Sequence, residues 1–175
     1  MTVLIEPAIS PSAVRAPQPS MRPLRASDKR AVDAMHARCS TSSRRMRYFS
    51  AKPGLPQRLF DLFLERSRGL TLVVENAEGD IVALGHMMYV SRPGAAELAF
   101  LVEDAWQGRG LGRALTERML DLGRAEGLRE LGASVLSENA RMRRLLTSLG
   151  GRTARTEDPA VLEIVIALEE AAAAA

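Results

Sequence analysis

The stretch Gln107-Gly108-Arg109-Gly110-Leu111-Gly112-Arg113 follows an apolar, strand-like run and opens a segment with helical periodicity. Glycines at such a junction let the backbone approach a ligand closely, and the first N–H groups of the helix together with its dipole favour an anion. The two arginines add positive charge at the same place. The spacing matches neither the GxGxxG dinucleotide fingerprint nor the GxxxxGK[ST] phosphate loop. On the glycines alone, an anion-binding turn and a plain loop with a helix cap remain equally open.

The composition predicts one ordinary globular domain. The chain has 175 residues, of which 46% are apolar, 26% charged and 4% aromatic, and that apolar share is typical of globular rather than disordered proteins. A single cysteine, Cys39, excludes an internal disulfide framework and a CxxC zinc site. Two histidines, His36 and His86, make a histidine-rich metal cage unexpected, so no metal is predicted. No apolar run reaches the ~18 residues of a membrane span, and no membrane association is predicted.

The charge balance points only weakly to a phosphorylated partner. There are 24 basic and 21 acidic residues, for a net charge of +3 and an isoelectric point of about 9.6. All but two of the basic residues are arginine, whose planar fork suits phosphate. Composition leaves nucleic acid, a phosphorylated cofactor and a plain solvated surface open. A nucleic-acid-binding domain ranks lowest, because the motifs of known readers are absent and aromatic residues for base stacking are few.

The order of patterns along the chain predicts an α+β domain with a mixed, mostly antiparallel sheet and about four flanking helices. Residues 1–20 carry four prolines, lack the pattern of a signal peptide, and predict a flexible tail on a cytoplasmic protein. The domain is expected over residues 21–170, with an alanine-rich tail at 171–175. Strands are predicted at 21–25, 70–75, 81–90, 95–103, 130–136 and 161–168, and helices from 27, at 56–66, from 112 and around 142–149. Residues 39–50, basic and rich in hydroxyl groups, have no assignable structure.

Two motifs in this order resemble one superfamily. Gln107, Gly110 and Gly112 form the pattern Gln-x-x-Gly-x-Gly, which resembles the pyrophosphate loop of the GNAT acetyltransferases, between the fourth strand and the third helix of that fold. A downstream segment resembles the superfamily's second motif through Glu138, Asn139, Met142, Leu145, Leu146, Leu149 and Gly150. The resemblance covers residues 70–151 and implies the GNAT, or acyl-CoA N-acyltransferase, fold.

The resemblance implies an N-acetyltransferase that uses acetyl-CoA. The pyrophosphate would lie on the glycine loop, the pantetheine arm would pair with the backbone of residues 100–102, and the second motif would flank the pantetheine and the thiol end. The cofactor-binding residues that it implies are Phe100, Leu101, Val102, Gln107, Gly108, Arg109, Gly110, Leu111, Gly112, Arg113, Asn139 and Met142.

The match narrows to one group within the superfamily. Residues 96–112, AELAFLVEDAWQGRGLG, are similar to the GNAT domain of bacterial protein lysine acetyltransferases of the Pat type, and residues 42–50, SSRRMRYFS, resemble a further segment of that group. This implies a protein lysine as acceptor. A small amine as acceptor and a CoA-binding sensor without turnover are the alternatives, and a homodimer formed through edge strands stays open.

Glu97 is the predicted general base, because transfer to an amine requires that a proton leave the acceptor. It lies in an apolar strand, on the face opposite Leu98 and Phe100, which predicts burial, and burial raises the pKa of a carboxyl group. In the Pat-type family the glutamate of the matching segment has this role, through water. The alternative is a structural glutamate that faces solvent or pairs with an arginine.

Other residues receive weaker predictions. Many GNAT enzymes carry a tyrosine acid seven residues after the asparagine, and Leu146 stands there, so the thiolate would take its proton from water or another group. A backbone N–H near Leu101 or Val102 is the expected oxyanion donor. His86 is predicted to be a half-buried structural histidine and Cys39 a small core residue. Arg44, Arg45 and Arg47 are compatible with an acidic protein surface, the 3′-phosphate of CoA or solvent, and Arg141, Arg143 and Arg144 are expected to face solvent.

Overall fold

The antiparallel meander predicted from three apolar runs is present in the computed structural model, which describes residues 19–50 and 54–168. Its strands are β2 (Gly69–Glu75), β3 (Ile81–Tyr89) and β4 (Ala95–Val102). The runs form strands because they are rich in β-branched and other apolar residues and are separated by turn-forming residues. The predicted tails, apart from Pro19 and Ser20, lie outside the described residues.

In the described part of the chain, four further strands complete a seven-stranded mixed sheet in the order β1-β2-β3-β4-β5-β7-β6. They are β1 (Ser20–Pro23), β5 (Glu130–Leu136), β6 (Arg152–Arg155) and β7 (Val161–Ala167). β4 and β5 are the parallel pair, and the other neighbours run antiparallel. β6 was not predicted, because all four of its residues are exposed and show no alternation of apolar and polar residues.

Within residues 19–50 and 54–168, five α-helices pack on this sheet, where about four were predicted. They are α1 (Lys29–Arg38), α2 (Thr41–Tyr48), α3 (Gln57–Leu64), α4 (Leu111–Ala125) and α5 (Ala140–Ser148). The additional helix, α2, lies in the segment without assignable structure. It buries none of its residues completely, so it has no apolar stripe that could have predicted it.

The sheet separates two apolar clusters. One contains Leu115 and Met119 of α4 and Leu146 of α5 against the face of β4 that carries Leu98 and Phe100. A Cβ at Gly85 would lie 2.9 Å from Cδ2 of Leu115 and 3.0 Å from Cδ1 of Phe100, so glycine is needed there for α4 to approach the sheet.

The other cluster joins α1 and α3 to the opposite face of the sheet, through Val32, Met35, Phe60, Leu84 and Leu101. Cys39 is buried in this cluster as predicted, and burial raises the pKa of its thiol to about 11. Among the described helices, none combines the length and the apolar content that a membrane crossing requires.

Two histidines are buried on the α1–α3 side of the sheet. Nδ1 of His36 donates to the carbonyl of Val32 (2.8 Å), so in the neutral ring Nε2 accepts a hydrogen bond from the hydroxyl of Tyr48 (2.6 Å). His86 is fully buried rather than half-buried as predicted. It lies 3.6 Å from Phe63, between ring centroids, and its Nδ1 is hydrogen-bonded to Oγ1 of Thr71 (3.1 Å). Burial lowers the pKa of both histidines, that of His86 the more strongly.

We expect the free energy of unfolding to fall as the pH drops from 8 to 5.5. Below the ordinary histidine pKa of ~6.5, the unfolded chain binds protons that the folded chain, with its lowered histidine pKa values, does not. Stability is therefore fully present above that pH and decreases below it. Urea unfolding followed by circular dichroism at constant ionic strength measures this dependence.

The variant His86→Gln should make this pH dependence shallower, because it removes the histidine whose pKa is lowered more strongly. A free energy of unfolding that is flat or rises as the pH falls to 5.5 would contradict the argument.

Candidate functional site

The pairing of β4 with β5 stops after three residue pairs, the last of which joins Glu97 to Gly132. β4 hydrogen-bonds to β3 through its odd-numbered residues, as shown by the bond from the N–H of Glu103 to the carbonyl of Val82 (2.9 Å). Polar groups of successive residues point to opposite edges of a strand. The N–H and C=O groups of Phe100 and Val102 therefore face the opening between the two strands.

A cavity of about 300 Å³ lies at this opening, with walls from β4, β5, α2, α5 and the loop before α4. The predicted cofactor residues that line it are Phe100, Leu101, Val102, Gln107, Gly108, Gly112, Asn139 and Met142. The other four, Arg109, Gly110, Leu111 and Arg113, belong to the loop and the first turn of α4 but do not line the cavity. Leu101 lines it although its backbone groups point to β3, so the neighbours of Leu101, rather than Leu101 itself, present polar backbone groups to the opening.

The glycine loop has the backbone conformation that its sequence predicts. Gly108 (φ +75°) and Gly110 (φ +82°) occupy the left-handed region, and a Cβ at either position would meet open space. The first hydrogen bond of α4 runs from the N–H of Ala114 to the carbonyl of Gly110 (3.0 Å), so the N–H groups of residues 111–113 precede the helical bonds. Leu111 is buried and anchors this end of the helix in the core. The arrangement provides backbone donors and a helix dipole for an anion.

The two arginines of the loop are both exposed and have different neighbours. The guanidinium of Arg109 stacks over the ring of Trp106, 5.2 Å from its centroid. Arg113 pairs with Glu117 (2.9 Å) and donates to Oγ of Ser148 (2.8 Å), which joins α4 to α5. Both add positive charge around the loop, as the sequence predicted, from outside the cavity.

Gln107 connects the loop to the other elements around the cavity. Its Nε2 donates to the carbonyl of Val102 (2.9 Å) and to Oγ of Ser43 (3.0 Å), and its Oε1 accepts a hydrogen bond from Arg141. Arg141 is exposed, as predicted for this side of α5, but it also lines the cavity, which the sequence did not indicate. It lies two residues after Asn139, in the first turn of α5, which brings it next to the loop.

Helix α2 is fixed to the end of β4 through two serines that the sequence did not single out. Ser40 caps α2 by accepting from the N–H of Ser43 (3.1 Å), and the hydroxyls of both serines donate to Asp104 (2.8 and 2.9 Å). Burial alone would raise the pKa of Asp104, but the hydrogen bonds from Ser40 and Ser43 outweigh it and hold the pKa below its ordinary value. The sequence does contain a signal for this helix start, because Ser40 and Ser43 have the i, i+3 spacing at which an N-cap serine accepts from a backbone N–H of the first turn.

The three arginines of α2 have three different environments. Arg44 donates to the carbonyls of His36 (3.1 Å) and Cys39 (2.8 Å) at the end of α1. Arg45 is exposed and pairs with Glu138. Arg47 is half-buried and lines the cavity. The single cluster expected from the sequence is therefore three separate contacts, of which one belongs to the site.

The second motif forms the start of α5. The side chain of Asn139 accepts from the N–H of Met142 (3.1 Å), an N-cap that fixes the helix beside the opening. Met142 is half-buried and packs against the larger apolar cluster. Leu146, which stands at the position of the tyrosine found in many GNAT enzymes, is buried in that cluster and does not line the cavity.

Glu97 is exposed, so its predicted burial is wrong. The strand pattern gave its face correctly, because Glu97 shares the face of Leu101 and lies opposite Leu98 and Phe100. The helices that cover this face bury Leu101. Glu97 lies four residues earlier on the same strand, where this face is open to solvent. Glu97 stands where the β4–β5 ladder ends, and its charge attracts the guanidinium of Arg47.

Comparison with known sequences confirms the family predicted from the two motifs. A family model described as an acetyltransferase (GNAT) domain matches residues 20–152. An acetyltransferase of Pseudomonas aeruginosa is 28% identical over 136 residues, which are 74% of this chain and 73% of that protein. Mycothiol acetyltransferase of Beutenbergia cavernae is 43% identical over 84 residues, which are 46% of this chain and 27% of that protein.

Solved structures agree with this assignment. The GNAT domain of S. lividans PAT matches with a TM-score of 0.78 and 25% identity, over 85% of this chain and 89% of that one. Spermidine N-acetyltransferase from Vibrio cholerae, solved with CoA and spermine, shares the fold with a TM-score of 0.70 and 18% identity, over 87% and 97% of the two chains. The sequence, the fold and the loop geometry lead to one conclusion: the chain belongs to the GNAT family and is an acetyl-CoA-dependent N-acetyltransferase that transfers an acetyl group to an amine.

Proposed function

We propose that the chain acetylates the side-chain amine of a protein lysine by direct transfer, with Glu97 as general base. The observation that carries this proposal is the position of Glu97, an exposed carboxylate at the last residue pair before β4 and β5 separate. A long side chain arriving from solvent can reach this carboxylate, and the opening beyond it is lined by the glycine loop and the second motif.

The donor would lie along the elements that surround the opening. Its pyrophosphate fits the N–H groups of Leu111, Gly112 and Arg113, with Gly108 and Gly110 leaving space above the loop and Arg109 adding positive charge. Its pantetheine amides fit the edge of β4 that β5 leaves open, at the N–H and C=O of Phe100 and the N–H of Val102, whose carbonyl already accepts from Gln107. Asn139 and Met142 would flank its thiol end, where they line the cavity.

Bound acetyl-CoA supplies an acetyl thioester, whose carbonyl carbon is the electrophile. Glu97 would remove a proton from the acceptor ammonium, directly or through a water molecule, so that the nitrogen lone pair becomes available. The N–H of Val102 faces the opening, whereas that of Leu101 faces β3, so Val102 is the better placed of the two expected oxyanion donors. Leu146 carries no proton to donate and is buried, which leaves water or another group as the acid for the thiolate.

The protein-lysine acceptor has two supports. The sequence resembles the Pat-type protein lysine acetyltransferases in two segments, and the GNAT domain of S. lividans PAT matches most of the chain. Incubation with radiolabelled acetyl-CoA, a cell lysate and a panel of small amines tests the acceptor directly. We expect label in acid-precipitable protein and on lysine Nε, whereas label only in the small amines would show that the acceptor is a small molecule.

Replacement of Glu97 by glutamine should lower kcat by about 10²- to 10⁴-fold, the usual contribution of a general base, and leave the Kd for CoA unchanged. Turnover is measured by release of CoA thiol, and CoA binding by calorimetry. The matched control is Glu163→Gln, which changes an exposed strand glutamate on the same face of the sheet and should keep normal turnover. Near-normal kcat in Glu97→Gln would remove Glu97 as the base.

Replacement of Gly110 by alanine should weaken CoA binding by about tenfold or more. A methyl group at a left-handed residue strains the loop by about 1 kcal/mol and stands in the space from which the pyrophosphate approaches the amides. Gly79 in the β2–β3 turn is a matched control, because its φ of +85° is similar and its surroundings are equally open.

Thermal unfolding and calorimetric titration with CoA separate strain from binding. We expect both glycine variants to lose similar stability and only Gly110→Ala to lose affinity. Equal CoA affinity in the two variants would mean that the loop amides do not hold the pyrophosphate.

A further inference from the structure

Arg47 differs from the other arginines of α2 in what surrounds its guanidinium. Its side chain lines the cavity and stacks over the ring of Tyr48, 4.7 Å from the centroid. Its Nε is inaccessible to solvent and has no hydrogen-bond partner among residues 19–50 and 54–168. The Nε of Arg44 is likewise inaccessible and without a partner among these residues, but Nη1 of Arg44 donates two hydrogen bonds to carbonyls at the end of α1. Arg44 does not line the cavity, whereas Arg47 does.

The Nε–H of Arg47 is a buried donor without an acceptor, which is unfavourable. The guanidinium stays cationic, because an arginine is not deprotonated in proteins. Burial lowers the pKa of Arg47, while the negative charge of Glu97 raises it by a smaller amount. An arriving anion would accept its N–H bonds and offset the cost of its burial.

The acidic groups near Arg47 do not supply that anion. Asp104 lines the same cavity but accepts hydrogen bonds from the backbone N–H and hydroxyl of Ser40 and from the hydroxyl of Ser43. Glu97 attracts Arg47 but is exposed, and the described residues show no ion pair between the two. The charged residues that line the cavity are Arg47, Arg141 and Asp104, so its net charge is positive.

We propose that Arg47 binds a carboxylate carried by the amine acceptor. The proposal rests on the proposed function, since it places the acceptor amine at Glu97 and a second, anionic group of the same molecule at Arg47. A carboxylate on Arg47 would hold the acceptor so that its amine faces the base, and an acceptor with positive charge alone would meet repulsion. The carboxylate has two chemical sources, an acidic side chain beside the target lysine of a protein or the α-carboxylate of a free amino acid.

Two pairs of probes distinguish these sources. The peptide pair consists of blocked heptapeptides with one central lysine flanked by aspartate or by asparagine, and the small-molecule pair is L-lysine and L-lysine amide. In one of the two pairs we expect kcat/KM to be higher by about tenfold or more for the probe that carries the carboxylate. This is the usual effect of a hydrogen bond between charged groups. The pair that shows the preference identifies the source.

Variants connect that preference to Arg47. In Arg47→Gln the ratio of kcat/KM between the carboxylate and amide members of that pair should fall to about one, while the Kd for CoA stays unchanged. Arg47→Lys should keep part of the ratio, because lysine retains the positive charge but lacks the planar guanidinium. Arg58→Gln, which removes an exposed arginine of α3, is the matched control and should keep the full ratio. Thermal unfolding of each variant verifies folding.

A binding measurement separates this proposal from the proposed function. The Nε–H resonance of Arg47, assigned by its loss in Arg47→Gln, should shift when CoA-bound protein is titrated with a carboxylate probe and stay in place with the matching amide. Such a shift without acetylation of any probe would support the anion site and overturn the proposed function. Absence of a shift with every probe, equal kcat/KM within both pairs, or a preference that persists in Arg47→Gln would overturn the anion site.

Discussion

The separation of β4 from β5 depends on the fact that each strand is fully paired on its other side. β4 keeps its register with β3 along its whole length, and β5 pairs with β7 from Glu130 to Leu136. Beyond Glu97 and Gly132, β4 and β5 diverge from each other while each stays paired with its other neighbour. Separate elements hold the two strands there, since α4 packs against β3 and β4 and the capped helix α5 follows β5. A buried backbone edge without partners is unfavourable. The opening is therefore suited to a ligand that brings its own amide groups, and the pantetheine arm of acetyl-CoA is the ligand that we propose for it.

Charge acts in this protein through position rather than through its total. A net charge of +3 is small for 175 residues, and most of the arginines that contact acids are exposed, where an ion pair contributes little to stability. Arg141 differs because it binds the side chain of Gln107 at the cavity wall. Arg109 and Arg113 differ because they stand next to helix N–H groups that already favour an anion. The same residue type thus supports the fold in one place and the site in another.

The sequence predicted the elements with a strong apolar pattern and missed those without one. Strand β5 was placed at its observed bounds, and the meander and α4 were found within a few residues, because each buries a regular face. Helix α2 and strand β6 were missed because their contacts are polar or their residues exposed. Helix α2 is held by Ser40, Ser43 and Asp104, and these partners are 61 to 64 residues apart in the chain.

The same limit explains the errors in the site. Alternation along β4 predicted the face of Glu97 but not what covers that face, so its burial was wrong. The spacing on α5 placed Arg141 on the exposed side correctly, but it did not show that the glycine loop lies against that side. Motif spacing located the glycine loop and the segment at Asn139 because both are local features, fixed by the backbone of a few consecutive residues.

Helix α2 links the glycine loop to the surroundings of Glu97. Ser43 and Arg47 are one helical turn apart and therefore share a face. Ser43 accepts from Gln107, which also holds the end of β4, while Arg47 lines the cavity within the electrostatic reach of Glu97. A displacement of α2 would move the loop contact and the guanidinium together. The contacts of the glycine loop and the positive charge of Arg47 in the cavity thus both depend on one short polar helix, the element that the sequence pattern alone did not reveal.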